Sequence, residues 1–174
     1  FGDYTWSRNN KDGVTPLQGI KNRVNKNTAI HYAKGCSLTS LDTSGIAEAV
    51  EAAKNSEVAV IFGGSASAAL ARDYKSSTCG EGFDLNDLNL TGAQSQLIRE
   101  VYRTGTPVIL VLVTGKPFVI EWEKNNLPAI LVQWYAGEQA GNSIADILFG
   151  EVVPSGRLTF SFPRSTGHLP VYYN

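Results

Sequence analysis

The residues with the clearest chemical potential lie between Ser76 and Leu90, where Glu81 stands between Gly80 and Gly82, and Asp84 and Asp87 follow closely. A carboxyl in that setting is either a solvated acidic turn, the ordinary fate of a lone glutamate among glycines, or a group that gives and takes a proton. Glycine loses the most backbone entropy on ordering, so a glutamate flanked by two is poor material for helix or strand. The segment therefore reads as a loop. It follows the apolar run 58–62, and loops leaving buried strands are where open α/β sheets carry their chemistry. The connection over 63–90 far exceeds the roughly 4–6 residues usual between elements, a length that marks either a functional loop or disorder.

Other stretches are weaker. Gly63-Gly64-Ser65-Ala66-Ser67 follows a strand but lacks both G-x-G-x-x-G and the Walker Gly-Lys-Ser/Thr, so a nucleotide loop is not supported. No G-x-S-x-G elbow offers Ser65 or Ser67 as a nucleophile for His168. His31 reads as a core or edge histidine, no His/Cys spacing points to a metal, and no cofactor is expected. In Trp134-Tyr135-Ala136-Gly137-Glu138-Gln139 the aromatic residues sit at a strand exit, where an indole suits the apolar face of a pyranose. The competing reading is core packing, with Glu138 favouring a helix N-terminus. For Cys36 and Cys79, a bridge and two free thiols are both open, the bridge requiring an oxidising compartment.

The elements that must position these residues follow from periodicity. Thr15 caps a helix that Pro16 opens and that runs through Arg23. A short strand is expected over 28–33, then a helix over 44–54 capped by Ser44, with Ile46, Ala49, Val50 and Ala53 on one face. The β-branched run 58–62 predicts a strand buried on both faces and ended by Gly63-Gly64. Thr91 caps a helix over 91–103, followed by the strongest strand, 107–113. A short helix over 118–124, a strand over 128–134, a helix over 138–149 and an alternating edge strand over 158–162 complete the order. The expectation is an α/β fold with a mostly parallel sheet, right-handed crossovers and helices on both faces. Many chemistries share that architecture.

With 174 residues one domain is the natural count. Hydrophobic content of 43% and charged content of 18% describe a globular chain. A net charge of −1 supplies no basic field for nucleic acid or anionic membrane. No apolar run approaches the roughly 18 residues that span a bilayer. The absence of methionine implies a processed product or a piece of a longer protein.

Taken in order, the motifs resemble the C-terminal domain of glycoside hydrolase family 3, the β-glucosidase and β-xylosidase family. The likeness rests on Val14-Thr15-Pro16-Leu17-Gln18-Gly19-Ile20, Tyr32-Ala33-Lys34-Gly35-Cys36, Gly80-Glu81-Gly82-Phe83-Asp84, Leu90-Thr91-Gly92-Ala93-Gln94 and Gly115-Lys116-Pro117. It continues through Trp134-Tyr135-Ala136-Gly137-Glu138-Gln139, Ala145-Asp146-Ile147-Leu148-Phe149-Gly150 and Pro154-Ser155-Gly156-Arg157-Leu158. The resemblance implies a three-layer α/β sandwich over 14–174, its mostly parallel sheet bearing one antiparallel edge strand. Residues 1–13 would then be a lead-in arm from a preceding barrel domain. It implies Glu81 as general acid/base, a nucleophilic aspartate on the barrel, and no cofactor. Asp84 and Trp134 are secondary candidates for substrate contact. The implied partners are that barrel and a β-linked glucoside or xyloside, in a periplasmic or extracellular setting, and the isolated piece is expected to be inactive. Many members follow the Glu-Gly pair with Asp-Arg, whereas this chain has Asp84-Leu85, so any contact of that arginine is missing or supplied elsewhere. The alternative is a non-catalytic sugar-binding or structural module.

Overall fold

The computed structural model describes residues 12–67 and 76–172. The expected lead-in arm therefore lies almost wholly outside the described residues. At the centre is a three-stranded sheet of β1 (Ala59–Gly64), β2 (Val108–Val113) and β3 (Ala129–Val132) in that spatial order. Both pairings are parallel, with Ile61 opposite Leu110 and Leu110 opposite Ile130.

Between β1 and β2 runs α3 (Gln94–Tyr102), and between β2 and β3 runs α4 (Glu121–Asn126). Both crossovers step the same way across the sheet, so right-handed connections place both helices on one face. The core agrees. Val108, Leu110 and Leu112 of β2 gather with Leu97, Ile98 and Val101 of α3, and Ile46 and Ala53 of α2 (Ile46–Lys54) join them. Trp122 of α4 packs at the border of the same cluster. Each wholly buried leucine contributes about 1.5–3 kcal/mol of transfer free energy.

A second assembly pairs α1 (Pro16–Arg23) with α5 (Ala140–Leu148). Two glycines make their close approach possible. A Cβ on Gly19 would lie 2.0 Å from the Gly141 carbonyl oxygen, and one on Gly141 would lie 2.1 Å from that of Thr15. Main-chain bonds seal the joint, Val14 N–H donating to Glu138 at 2.8 Å and Gly141 N–H to Val14 at 2.9 Å.

The α/β expectation, with its parallel sheet and flanking helices, holds, while several local expectations are corrected. Thr15 does cap α1, its hydroxyl accepting from Gln18 N–H at 3.2 Å. Ser44 does not cap α2, because its N–H and hydroxyl are both held by Asp42 and the helix begins after Gly45. Thr91 is likewise diverted. It donates to the Leu38 carbonyl at 2.7 Å, and α3 starts after Ala93. No strand forms over 28–33; the nearest pairing is a single antiparallel bridge between Gly35 and Gly45. Residues 158–162 form no strand either, so the antiparallel edge is not present there. In neither case does a neighbouring segment pair with these residues, and a strand exists only through its partner. Gly63 and Gly64 continue β1 instead of ending it. The ladder carries through both, Gly63 pairing with Leu112 and Gly64 with Val113, and the buried Gln94 amide also accepts from Gly64 N–H at 2.8 Å and donates to the Gly64 carbonyl at 3.0 Å. Among the described residues, no helix is long and apolar enough to cross a membrane.

Candidate active site

The three strands end together, and the hydroxyl at the β1 exit meets one from each of the other two. Ser65 follows β1, Thr114 follows β2, and Tyr135 stands past the end of β3. Ser65 Oγ lies 3.0 Å from Thr114 Oγ1 and 2.8 Å from Tyr135 Oη, and it accepts from Gly115 N–H at 3.1 Å. The Tyr135 hydroxyl also donates to the Ser65 carbonyl at 3.2 Å. Thr114 closes the turn after β2, its Oγ1 donating to the Lys116 carbonyl at 2.9 Å and accepting Lys116 N–H at 3.1 Å. Buried polar groups persist only when satisfied in this way.

The acidic loop hangs from this edge on two legs. On the first, Thr78 N–H donates to the Ala66 carbonyl at 2.7 Å, and Ala66 N–H donates back to Thr78 Oγ1 at 2.9 Å. Ser77 donates to the same carbonyl at 3.2 Å and lies 3.5 Å from Cys79 Sγ. On the second leg, Asp87 Oδ1 accepts from Asn89 N–H and from Thr166 Oγ1, each at 3.0 Å. Leu88 N–H donates to Thr166 Oγ1 at 3.3 Å, and the Leu88 carbonyl accepts Val119 N–H at 2.8 Å. These donors, the Asn89 N–H foremost, hold the Asp87 carboxyl below its ordinary range.

Between the legs, residues 80–83 form a turn in which Phe83 N–H donates to the Gly80 carbonyl. Gly80 and Gly82 have φ of 84° and 81°, the left-handed region that glycine enters without a Cβ penalty. Glu81 stands between them, exposed to solvent, and Asp84 is exposed on the same loop. The two residues bracketing Glu81 are needed for their backbone geometry.

Trp134 belongs to a separate platform. It leaves β3 with φ of 55°, unusual for a bulky residue, and its half-buried ring meets Phe160 edge-on at 5.4 Å. Phe160 in turn stacks on Phe162. Backbone strain of this sort costs on the order of 1–3 kcal/mol and collects at functional positions.

Lys116 escaped the sequence reading as a site residue. Only 6% of it is exposed, its ammonium lies over the Phe118 ring at 4.8 Å, and Nζ reaches the Asp87 carbonyl at 3.5 Å. Burial pushes its pKa down, while the charges of Asp87 and Cys79 pull it back up. Its position in Gly115-Lys116-Pro117, directly after the strongest strand, is the signal that could have marked it. Cys36 and Cys79 are both free thiols, so no bridge joins them. Among the described residues no group of three or more His, Cys, Asp or Glu side chains is placed to hold a metal ion.

The whole chain, residues 1–174, matches the glycosyl hydrolase family 3 C-terminal domain. The chain belongs to that family. It is similar to a β-xylosidase of Formosa agariphila, at 44% identity over 92% of this chain and 21% of the relative. It is also similar to a periplasmic β-glucosidase of Salmonella typhimurium, at 39% identity over 92% of this chain and 22% of that protein. Among solved structures, a β-glucosidase from Erythrobacter marinus superposes with a TM-score of 0.81 at 32% identity, covering 99% of this chain and 25% of its own. The chain thus spans about a fifth of the length of the curated relatives it matches.

Proposed function

We propose that this family 3 domain forms one side of the active site of a retaining, exo-acting β-glycosidase, with Glu81 as general acid/base. The observation that carries the reading is the placement of Glu81, exposed between two left-handed glycines on a loop anchored to the carboxyl edge of a parallel sheet. Open α/β sheets bind ligands at that edge. Relatives named β-xylosidase and β-glucosidase support a terminal β-D-glucoside or β-D-xyloside as substrate.

In this reading a preceding barrel domain, entered through residues 1–13, supplies an aspartate about 5–5.5 Å from the Glu81 carboxyl. That aspartate attacks the anomeric carbon as the glycosidic C–O bond breaks, and Glu81 passes its proton to the departing oxygen. Water then attacks the glycosyl ester, Glu81 takes the water's proton, and the aspartate leaves as carboxylate. The sugar is released with its configuration retained. Asp84 and Trp134 flank the sugar as secondary contacts, the indole through its apolar face. No cofactor takes part. With the nucleophile on another domain, this domain alone has little or no turnover. The periplasmic relative supports a periplasmic or extracellular location.

The test uses the full-length enzyme and its Glu81→Ala form with p-nitrophenyl β-glucoside and β-xyloside. The variant should lose on the order of 10²-fold or more in kcat, because deglycosylation loses its base. Azide, which needs no base, should restore turnover and yield the β-glycosyl azide. A variant as fast as its parent, or one that azide does not rescue, removes Glu81 from this role.

A further inference from the structure

We propose that Lys116 is a positioning residue for Glu81, its ammonium tying the second leg of the acidic loop to a turn that the first leg passes closely. The inference builds on the acid/base reading above. Its ground is the unusual placement of the cation. A lysine ammonium has three donors and is strongly hydrated in water. Here it is 94% hidden, with the Asp87 carbonyl at 3.5 Å and the Phe118 ring at 4.8 Å beside it. Burying a charge so thinly compensated costs several kcal/mol and is poor use of a core position. The same volume filled by methionine or leucine would pack without that cost.

What the cation gains is location. The turn that carries it is clamped at both neighbours, Thr114 holding the Lys116 main chain and Ser65 holding Gly115 N–H. The first leg passes close to this turn: a Cβ placed on Gly115 would lie 2.9 Å from the Tyr135 ring and 3.5 Å, van der Waals range, from Cys79 Cβ. The second leg is reached by the ammonium at the Asp87 main chain. Residues 80–86, with Glu81 among them, span the gap between these two supports. Thr166 braces the second leg independently, through Asp87 Oδ1 and Leu88 N–H. A carboxyl that must meet a leaving oxygen needs its loop fixed at both ends, since a misplacement of about 1 Å can cost up to about 10²-fold in rate.

A purely structural lysine and a positioning lysine differ in one readout. The acid matters most for leaving groups that cannot depart unprotonated. In the full-length enzyme, kcat/KM is therefore measured along aryl β-glucosides from 2,4-dinitrophenyl to phenyl. Lys116→Met should lower the phenyl value on the order of tenfold while leaving the dinitrophenyl value within about twofold. Lys116→Arg, which restores the charge, should recover most of the phenyl rate. Thr166→Val, cutting the independent brace, should show the same selectivity at smaller size. A uniform loss along the series, or none, overturns the proposal. Should Lys116→Met lose its cooperative thermal transition, Thr166→Val decides on the same criterion. The acid/base reading fails separately, if Glu81→Ala itself shows no dependence on leaving group.

Discussion

Leu110 and Ser65 are almost equally hidden, one at 0% and the other at 4% exposure, yet they hold the molecule together in different ways. Leu110 sits in mid-sheet among Ile98, Val108, Leu112 and Phe118, where the driving force is area withdrawn from water and has no direction. Ser65 stands one residue beyond β1 and is fixed by Thr114, Tyr135 and Gly115 N–H, whose bonds weaken steeply with angle. The first region sets how stable the domain is. The second sets where the acidic loop points. A core side chain can shift slightly with little consequence at the edge, whereas a small shift at the edge moves Glu81 directly.

The sharpest way to break that division is to cut the core. Leu110→Ala removes a wholly buried side chain from the central strand and should cost about 2–5 kcal/mol, read from urea or thermal unfolding. Below its lowered melting point the full-length variant should turn over phenyl and dinitrophenyl glucosides in the wild-type ratio. A changed ratio would mean that core and edge are not separable, and that loop geometry depends on packing throughout the sheet.

The same division explains what could be read from sequence. The core region was legible because it is written locally. The run Val108–Val113 names a buried strand by itself, and Thr15-Pro16 names the start of α1 by itself. Ser44 and Thr91 look equally good as caps, but their hydroxyls serve Asp42 and the Leu38 carbonyl, the latter 53 positions away. Residues 28–33 look like a short strand and 158–162 alternate like one, but neither is paired in a ladder. The loop around Glu81 was legible because its glycines adjoin it, whereas an acid/base role for Glu81 came only from the family resemblance. Lys116 was not, since a lysine defaults to the surface and its partner Asp87 lies 29 positions earlier. Thr166 lies 79 positions from Asp87. Local chemistry can be read along the chain, whereas a brace made of distant residues appears only when the chain is folded.

A smaller change sharpens the comparison from the loop side. At Gly80 φ is 84°, and a Cβ there would stand 3.0 Å from Leu85 Cδ1. Gly80→Ala should cost only about 1–2 kcal/mol, the penalty of a left-handed alanine. Turnover of phenyl glucoside should fall by more than that loss of stability explains, because the strain displaces the residue next to Glu81. A variant that melts as low as Leu110→Ala but keeps full activity would place Gly80 with the core and not with the site.

The smallest expected effect is the dependence of the brace on pH. The folded-state pKa of Asp87 lies below its unfolded value of about 3.9, held there first by Asn89 N–H and further by Thr166. The unfolded chain therefore binds the proton more readily, and stability contributed by Asp87 is present above the unfolded pKa and lost as pH falls through the folded one. Asp87 is exposed, so solvent screens much of this contribution. Asp87→Asn keeps the shape but has no such titration. Melting points of the parent and the variant should differ most at neutral pH and converge as pH drops from about 5 toward about 2. If the gap instead stays constant across that window, the Asp87 carboxylate does not carry the brace. The second leg would then depend on Leu88, through its bonds with Thr166 and Val119, and on the Lys116 ammonium alone.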